Sequence, residues 1–309
     1  MTLLFCSDSD SPDAWRAVFA EAFPRMSFRI WPDCGPPEEV RFALVWRPPP
    51  GMLSRFPNLE AILVLGAGVD SVLDDPMLPA AVPVLRLVEA GLPGPMSEYA
   101  LAAVLHFQRS MPAYASRQRE ARWLREPWQP ASQWPVGVMG LGVIGGVVAR
   151  RVAAAGYPVA GWARSPKELR GIEVFRGDDQ FGDFLGRSRV VVNVLPLTPS
   201  TRNILDAGAF AHMPRGAYVV NIGRGEHVAD DDLVAAIDAG HLAGAMLDVF
   251  RQEPLPPAHA FWRHPKITVT PHAAAPTVVA DAAGQVIENI RRMERGEAPM
   301  GIVDRAKGY

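Results

Sequence analysis

The stretch V-G-V-M-G-L-G-V-I-G-G, residues 136 to 146, decides the fold of this chain. An apolar run, 136–139, leads into glycines spaced G-x-G-x-x-G, and residues 147–155 then favour a helix. The order of strand, glycine motif and helix is typical of a βαβ unit that binds a dinucleotide. A glycine cluster by itself more often marks a turn. The strand before it and the helix after it favour the dinucleotide interpretation.

The three glycines of this motif have separate functions. Gly140 allows a tight turn, Gly142 lets a pyrophosphate approach the backbone, and Gly145 lets the helix pack closely on the strand. The start of the helix presents unpaired N–H groups and the positive end of its dipole to the phosphates. The predicted cofactor contacts are therefore Gly140, Leu141, Gly142, Val143, Ile144 and Gly145.

Length and composition limit what the chain can be. With 309 residues it is longer than one average domain, so two domains or one large one are expected. Hydrophobic residues make up 49% of the chain and charged residues 21%, which is an ordinary globular composition. The formal net charge of -2 gives no indication of a nucleic acid or an anionic membrane as the main partner.

Cysteines and apolar runs exclude further classes of protein. Cys6 and Cys34 are the only cysteines, too few for a disulfide framework or a cysteine-based zinc site, and we expect no metal. The N-terminus becomes acidic before an apolar signal region forms. No uninterrupted apolar run reaches the ~18 residues that a membrane helix needs. We therefore expect a soluble, cytoplasmic protein without a membrane partner.

Hydrophobic runs predict two successive α/β regions. The first has predicted strands at 2–6, 43–46, 61–65 and 82–88 and a helix at 12–23. A long helix is predicted to start at a cap formed by Ser97 and Glu98. The second region has predicted strands at 136–139, 157–162, 190–195, 217–222, 244–249 and 267–270, and a last amphipathic helix covers 281–294. Strands that alternate with helices imply doubly wound parallel sheets.

Polar residues lie at or just beyond the ends of three predicted strands in the second region. Arg224 follows 217–222, Asp248 and Glu253 belong to the end of 244–249 and the loop after it, and His272 follows 267–270. Ligands of such sheets bind beyond the carboxyl ends of the strands. We therefore expect these side chains to converge on one edge of the sheet.

The end of the second strand in this region bears on which nicotinamide cofactor binds. Sites for NAD usually have an acid about 20 residues after the first glycine, where it binds the ribose 2′-hydroxyl. Here the strand ends in A-R-S-P-K, residues 163–167. Arg164 and Lys167 would attract a 2′-phosphate and Ser165 could donate to it, although surface cations in a turn are also common. The sequence predicts NADPH in preference to NADH, with NAD(H) as the alternative.

Six segments carry a resemblance to a known family. They are L-G-A-G-V-D at 65–70, M-G-L-G-V-I-G at 139–145, V-L-P-L-T-P-S-T at 194–201, N-I-G-R-G-E at 221–226, D-V-F-R-Q-E-P-L at 248–255 and P-H-A-A-A at 271–275. In order and spacing they resemble the D-2-hydroxyacid dehydrogenase family, and within it the glyoxylate/hydroxypyruvate reductase branch.

The resemblance implies the organisation of the chain. It implies two Rossmann-like doubly wound parallel-sheet domains with the active site in the cleft between them. An NAD(P)-binding Rossmann domain would cover residues 97–276, and a flavodoxin-like substrate domain would consist of 1–96 plus 277–309. Members of the family are commonly homodimers, so we expect a homodimer here.

The resemblance also implies a catalytic trio. Arg224, Glu253 and His272 match the family's Arg, Glu and His. Reduction of a 2-oxo acid needs a hydride donor, a proton donor and a cationic clamp on the carboxylate. We predict His272 as the general acid, Glu253 as the residue that orients its ring, and Arg224 as the clamp. Each residue could be structural by itself, but the three together in family order favour catalysis.

Further substrate contacts are implied by the segment at 65–70. Backbone N–H groups of Ala67 and Gly68 would hold the substrate carboxylate. Trp46, Arg47 and Met96 are candidate walls of the substrate pocket. An ordinary core or linker position fits those three residues equally well.

Further cofactor contacts are implied by the segments that follow three of the strands. Leu195 and Pro196 would pack along the adenosine. Ile222 and Asp248 would approach the nicotinamide, Asp248 through the carboxamide, although Asp248 could instead cap a turn.

Three functions remain open at this stage. The first is NADPH-dependent reduction of small 2-oxo acids, glyoxylate or hydroxypyruvate, to 2-hydroxy acids. The second is a dehydrogenase for a bulkier 2-oxo acid, because one sequence does not reveal the shape of the pocket. The third is a nucleotide-sensing interaction module like the corepressors that share this fold. A short-chain dehydrogenase is disfavoured, because no Tyr has a Lys four positions later.

Overall fold

The computed structural model of the protein describes residues 1–88 and 90–309. The chain divides into two compact units. The terminal unit consists of Met1–Leu92 with Thr277–Tyr309, and the central unit consists of Pro93–Pro276. The roles of substrate domain and cofactor domain that the sequence suggests for these two parts stay predictions.

A five-stranded parallel sheet in the order β2-β1-β3-β4-β5 forms the middle of the terminal unit. Its strands are β1 (Thr2–Cys6), β2 (Ser27–Ile30), β3 (Val40–Val45), β4 (Ala61–Val64) and β5 (Val84–Leu85). Its helices are α1 (Pro12–Ala22), α2 (Asp70–Leu73) and α9 (Val279–Glu294). β1 and β4 are buried along their whole length, as expected for continuous apolar strands in a covered parallel sheet.

A seven-stranded parallel sheet in the order β12-β11-β10-β9-β6-β7-β8 forms the middle of the central unit. Its strands are β6 (Val136–Met139), β7 (Val159–Ala163), β8 (Glu173–Arg176), β9 (Val190–Asn193), β10 (Ala217–Asn221), β11 (Leu242–Leu247) and β12 (Ile267–Val269). Its helices are α3 (Pro93–Gln108), α4 (Met111–Arg119), α5 (Val143–Ala154), α6 (Phe181–Gly186), α7 (Ala207–His212) and α8 (Asp230–Asp238). The strand order reverses between β6 and β9, and ligands of open α/β sheets bind at such a reversal.

Both faces of the seven-stranded sheet are covered by helices. Val191 of β9 packs into a cluster with residues of α6, α7 and α8, whereas its neighbours Val190 and Val192 pack with residues of α3 and α5 on the other face. Burial on both faces explains why these strands are continuous apolar runs rather than alternating ones. The prediction of doubly wound parallel sheets is therefore confirmed.

Several elements differ from the sequence prediction. Both β2 and β8 were missed, because they are short edge strands with polar or half-exposed residues and lack an apolar run. The predicted cap at Ser97 is wrong: α3 begins at Pro93, and buried Ser97 donates within the helix to the Gly94 carbonyl at 2.7 Å. Pro is favoured at the first helical position because it has no N–H to satisfy. The strand predicted at 82–88 is limited to β5.

Among residues 1–88 and 90–309, no helix combines the length and hydropathy that membrane crossing requires. The same residues contain no group of three or more His, Cys, Asp or Glu side chains that could hold a metal ion. Cys6 and Cys34 are free thiols and both are buried.

Candidate active site

The glycine motif forms a tight turn between β6 and α5. Gly140 has φ +93°, a conformation that favours glycine. A Cβ on Gly145 would overlap the Gly140 carbonyl oxygen, so only glycine allows this close approach of helix and turn. A Cβ on Gly142, the N-cap of α5, would meet no atom within 4 Å. Open space beside the unpaired first N–H groups of α5 fits a dinucleotide pyrophosphate.

Exposed cations follow the second strand of the central unit. Arg164, Ser165 and Lys167 are exposed and come directly after β7. β8 adds Arg176, which pairs in register with Ala163, the last residue of β7. Arg176 was not among the predicted cofactor contacts, because the sequence does not predict β8. Its signal would have been a cation at the end of the adjacent strand.

A cavity of about 490 Å³ lies beside these cations. It is lined by Pro166, Lys167, Glu168, Val174, Arg176 and Gln180. Arg176 is held by a bond from its backbone N–H to Gln180 Oε1 at 2.8 Å. Two cations against one carboxylate make this cavity favourable for an anionic group.

The loop after β9 packs against the glycine turn. A Cβ on Gly140 would lie 3.2 Å from both the Leu195 side chain and the Val194 carbonyl oxygen. Leu195 is buried and Pro196 is half-buried. The structure therefore brings the predicted adenosine contacts next to the glycine motif.

Hydrogen bonds fix the backbone of Arg224 in the loop after β10. Asn221 Nδ2 donates to the Arg224 carbonyl at 2.8 Å, and the Arg224 N–H donates to His227 Nδ1 at 3.1 Å. The Arg224 guanidinium donates to the Gly223 carbonyl at 2.9 Å. Ile222, the predicted nicotinamide contact, is buried at the start of this loop. The backbone of Arg224, the predicted substrate clamp, is thus held by hydrogen bonds at both its N–H and its carbonyl group.

Asp248 joins β11 to the loop after β12. Its carboxylate is 1% exposed. It accepts from the Thr270 hydroxyl at 2.6 Å and from the N–H groups of Ala273 and Ala274 at 2.8 and 2.9 Å. Its backbone carbonyl accepts from the His272 N–H at 2.8 Å. These bonds hold the loop that carries His272.

His272 and Glu253, two of the three catalytic residues that the resemblance implies, form a pair. His272 Nδ1 lies 2.8 Å from Glu253 Oε2, and Glu253 Oε1 accepts from the Phe250 N–H at 2.9 Å. Their side chains are 32% and 12% exposed, respectively. His272 has φ +53°, a left-handed conformation that is uncommon for residues other than glycine and is often found at functional sites. The carboxylate thus accepts a hydrogen bond from the Nδ1–H group, which orients the ring.

The hydroxyl groups of Tyr99 and Thr270, which the sequence did not predict to interact, connect α3 to Asp248. Tyr99 Oη lies 2.6 Å from Thr270 Oγ1. Because the Thr270 hydroxyl donates to Asp248, the Tyr99 hydroxyl donates to Thr270. Burial raises the pKa of Tyr99 to about 12, so this donor is protonated. Met96 lies half-buried one turn earlier on α3.

The remaining predicted residues lie in the terminal unit. Ala67 and Gly68 are half-buried in the loop between β4 and α2. Trp46 and Arg47 follow β3, and Arg47 has φ +47° with its guanidinium 6.0 Å from the centre of the Trp46 ring. A Cβ on Gly66 would lie 3.1 Å from Trp46 Cη2, so the indole packs against this glycine. The two loops are therefore neighbours within the terminal unit.

The central unit defines a class of protein. A doubly wound sheet with a glycine turn suits a dinucleotide, and an oriented imidazole at the same edge suits proton transfer. These features together are those of a nicotinamide-dependent oxidoreductase.

Comparisons with known proteins give the family. Residues 101–274 match the model of the D-isomer specific 2-hydroxyacid dehydrogenase NAD binding domain. The chain is 42% identical over 315 residues to glyoxylate/hydroxypyruvate reductase A of Photorhabdus laumondii, with full coverage of both chains. The chain belongs to the D-isomer specific 2-hydroxyacid dehydrogenase family. This confirms the resemblance and the prediction of an NAD(P)-dependent oxidoreductase.

Solved structures agree with this assignment. The D-isomer specific 2-hydroxyacid dehydrogenase of Xanthobacter autotrophicus Py2, in complex with NADPH and MES, has a TM-score of 0.94 and 42% identity and covers 100% of this chain and 99% of its own. The NADPH-dependent glyoxylate/hydroxypyruvate reductase of Sinorhizobium meliloti, in complex with NADP and sulfate, has a TM-score of 0.92 and 35% identity, with 100% coverage of both chains. The fold is thus shared over the full length.

Proposed function

We propose that the chain reduces small 2-oxo acids, glyoxylate and hydroxypyruvate, to 2-hydroxy acids with NADPH, and that His272 is the general acid. The observation that carries this proposal is the 2.8 Å contact between His272 Nδ1 and Glu253 Oε2. The names of the relatives from Photorhabdus laumondii and Sinorhizobium meliloti support the substrate class. The alternatives of a bulkier substrate or a nucleotide-sensing module have no comparable support.

The His272–Glu253 pair supplies the proton of the reduction. The Nδ1–H group of His272 donates a hydrogen bond to Glu253, so the proton at Nε2 is the one that passes to the carbonyl oxygen. When bound, NADPH supplies a hydride for the 2-oxo carbon. One hydride and one proton together convert the carbonyl to the hydroxyl group of the product.

Arg224 is proposed to hold the substrate. Its planar guanidinium can bind a carboxylate through two parallel N–H donors. The bonds that fix its backbone reduce the freedom that substrate binding would otherwise have to remove. Ile222 and Asp248 are proposed to approach the nicotinamide, with Asp248 also holding the His272 loop.

The preference for NADPH is proposed to depend on the cations beyond β7 and β8. Arg164, Ser165 and Lys167 would bind the 2′-phosphate, together with Arg176 beside the cavity. NADH has a neutral 2′-hydroxyl in place of the 2′-phosphate, so these cations form no ion pair with it. Arg164→Asp should therefore raise the KM for NADPH and improve the relative use of NADH. A variant with an unchanged cofactor ratio would contradict the proposal.

Five further residues are proposed to contact the substrate, four in the terminal unit and Met96 on α3. The backbone N–H groups of Ala67 and Gly68 are proposed to donate hydrogen bonds to the substrate carboxylate. Trp46, Arg47 and Met96 are proposed to form walls of the substrate pocket. Arg47→Ala tests the walls, because it should change the KM for hydroxypyruvate and leave the Kd for NADPH unchanged. An unchanged KM would remove Arg47 from the site.

The variant His272→Asn tests the central proposal. Asn adopts left-handed backbone conformations readily, so the loop should stay folded while the proton donor is lost. We expect kcat with glyoxylate to fall about 10²–10⁴-fold, the usual contribution of a general acid. The Kd for NADPH, measured from the fluorescence of the cofactor, should change little. Turnover at the wild-type rate would refute the role of His272.

We also propose that the protein is a homodimer. Trp123, Leu124 and Trp128 lie outside helices and strands and are 97%, 51% and 66% exposed. Large apolar side chains clustered on a surface indicate a protein contact. Light scattering after gel filtration should give twice the mass of the chain, and Trp123→Ser should shift the protein towards the monomer. A monomeric wild-type protein would overturn this proposal.

A further inference from the structure

The ring of buried His227 joins the loop of Arg224 to the loop after β9. Its Nδ1 lies 3.1 Å from the Arg224 backbone nitrogen and 2.8 Å from Asn193 Nδ2. Its Nε2 lies 3.2 Å from the Pro196 carbonyl oxygen. His227 is 0% exposed. One side chain therefore contacts both the predicted substrate clamp and the predicted adenosine loop.

The partners of His227 determine where its proton lies. The Pro196 carbonyl can only accept, so Nε2 carries the hydrogen. The backbone N–H of Arg224 and the amide of Asn193 are donors, so Nδ1 must be the acceptor. These three contacts thus agree with one neutral tautomer. A second proton on Nδ1 would face these donors and break the contact with Arg224.

Two buried asparagines make this arrangement rigid. Asn193 and Asn221 are 0% and 1% exposed. Asn193 Nδ2 also donates to Asn221 Oδ1 at 2.9 Å, and Asn193 Oδ1 accepts from the Leu195 N–H at 3.2 Å. Asn221 in turn donates to the Arg224 carbonyl. Buried polar networks of this kind hold one geometry, because any rearrangement leaves a polar group unsatisfied.

We propose that His227 is a positioning residue for the proposed reductase, which holds Arg224 through Nδ1 and the Pro196 loop through Nε2. This inference rests on the proposed function for the identity of the two ligands. It goes beyond it by assigning one function to each ring nitrogen. The ring would set the distance between the substrate clamp and the adenosine loop without contacting either ligand.

The alternative is that His227 only fills space in the core. Two amide substitutions separate the possibilities, because each keeps one of the two bonds. His227→Asn places an amide oxygen near the position of Nδ1, so it can keep the Arg224 contact and lose the Pro196 contact. His227→Gln places an amide nitrogen near the position of Nε2 and does the reverse. A space-filling role would not distinguish the two bonds.

Steady-state kinetics and NADPH titration of the full-length enzyme test the proposal. For His227→Gln we expect the KM for glyoxylate to rise about tenfold with little change in the Kd for NADPH, since one buried hydrogen bond is lost on the Arg224 side. For His227→Asn we expect the Kd for NADPH to rise about tenfold with a smaller change in the KM for glyoxylate. Equal effects of both variants on both ligands, or no effect of either, would overturn the proposal.

His241 provides a matched control. Its Nε2 also contacts a backbone carbonyl, that of Phe210, at 2.8 Å. It precedes β11, at the amino end of the parallel strands, whereas Arg224 lies beyond the carboxyl end of the neighbouring strand β10. His241→Asn and His241→Gln should leave both ligand constants at their wild-type values.

A measurement on the wild-type protein covers the case in which the variants do not fold. Nitrogen-15 NMR of histidine-labelled protein should show the His227 ring in the neutral Nε2–H tautomer, and the Nδ1–H tautomer would overturn the proposal. If the wild-type enzyme reduced none of the 2-oxo acids, the proposed function would fail. The NADPH titration and the ring tautomer would still decide the role of His227.

Discussion

Replacing Asp248 by Asn tests whether its carboxylate holds the His272 loop. The change keeps the size of the side chain and replaces one oxygen by an amide nitrogen. The Asn oxygen can keep two of the three donors, the Thr270 hydroxyl and the Ala273 N–H. Its amide nitrogen then faces the N–H of Ala274. Two buried donors that face each other leave a polar group unsatisfied.

The magnitude follows from the bonds that change. A hydrogen bond to a charged group contributes about 1.5–3 kcal/mol, and the lower cost of burying a neutral amide offsets part of its loss. We expect the free energy of unfolding to fall by about 2 kcal/mol. For a unit of the size of Pro93–Pro276, this lowers Tm by about 4–8 °C.

The effect on catalysis should be larger than the effect on stability. The backbone of His272 donates to the Asp248 carbonyl, so a disturbed loop displaces the imidazole. A displacement of about 1 Å at a reacting group can reduce the rate about 100-fold. We therefore expect kcat for glyoxylate to fall about 100-fold, with a smaller change in the Kd for NADPH.

Scanning calorimetry and steady-state kinetics on the purified variant provide the assay. Asp238→Asn is the control, because its side chain is 69% exposed and, among the contacts described for it, meets only His264. Exposed pairs of this kind contribute about 0–1 kcal/mol, so its Tm and kcat should stay close to the wild type. A wild-type Tm and kcat in Asp248→Asn would refute the role of the carboxylate. A lower Tm with unchanged kcat would refute its connection to His272.

Three further predictions follow from local geometry. Gly142→Ala should keep the wild-type Tm but raise the Kd for NADPH, because its Cβ enters the open space beside α5 that fits the pyrophosphate. Gly145→Ala should lower Tm, because its Cβ overlaps the Gly140 carbonyl oxygen. Equal Tm values of the two variants would contradict this reasoning. Arg176→Gln should raise the KM for NADPH about tenfold and leave the KM for NADH unchanged, and a parallel change in both would exclude a 2′-phosphate contact. Burial raises the pKa of Cys6 to about 11, so its alkylation by iodoacetamide should be slow at pH 8 and should accelerate as the pH approaches 11. Mass spectrometry measures the alkylated fraction of Cys6. Rapid alkylation at pH 8 would contradict the burial of this thiol.

The sequence allowed the parallel sheets to be predicted because their strands are covered on both faces. β6, β9 and β10 are continuous apolar runs, and α5 follows a glycine motif with a defined geometry. β2 and β8 could not be predicted, because edge strands need no apolar run. Edge strands are recognised by their pairing partners, which the local sequence does not show.

The order of the site residues was predictable, but their supporting contacts were not. Their positions after strands at one edge of a parallel sheet indicated that Glu253 and His272 would lie close together, and the family resemblance implied that Glu253 would orient the ring. The sequence provided no reason to connect Tyr99 with Thr270 or His227 with Pro196, because such bonds join loops that are far apart in the chain. Arg176 was missed together with the strand that carries it. The roles of these residues in catalysis and binding stay predictions.

With the role proposed for His272, its left-handed backbone sets stability and catalysis against each other at one position. Gly, Asn and Asp tolerate this conformation better than His, and none of them can replace the imidazole as a general acid near neutral pH. A library randomised at this position and sorted for thermal stability alone should therefore become enriched in inactive proteins. Sorting the same library for turnover should return His at a cost in stability. The strained residue would thus persist in this chain only under continued selection for the reaction.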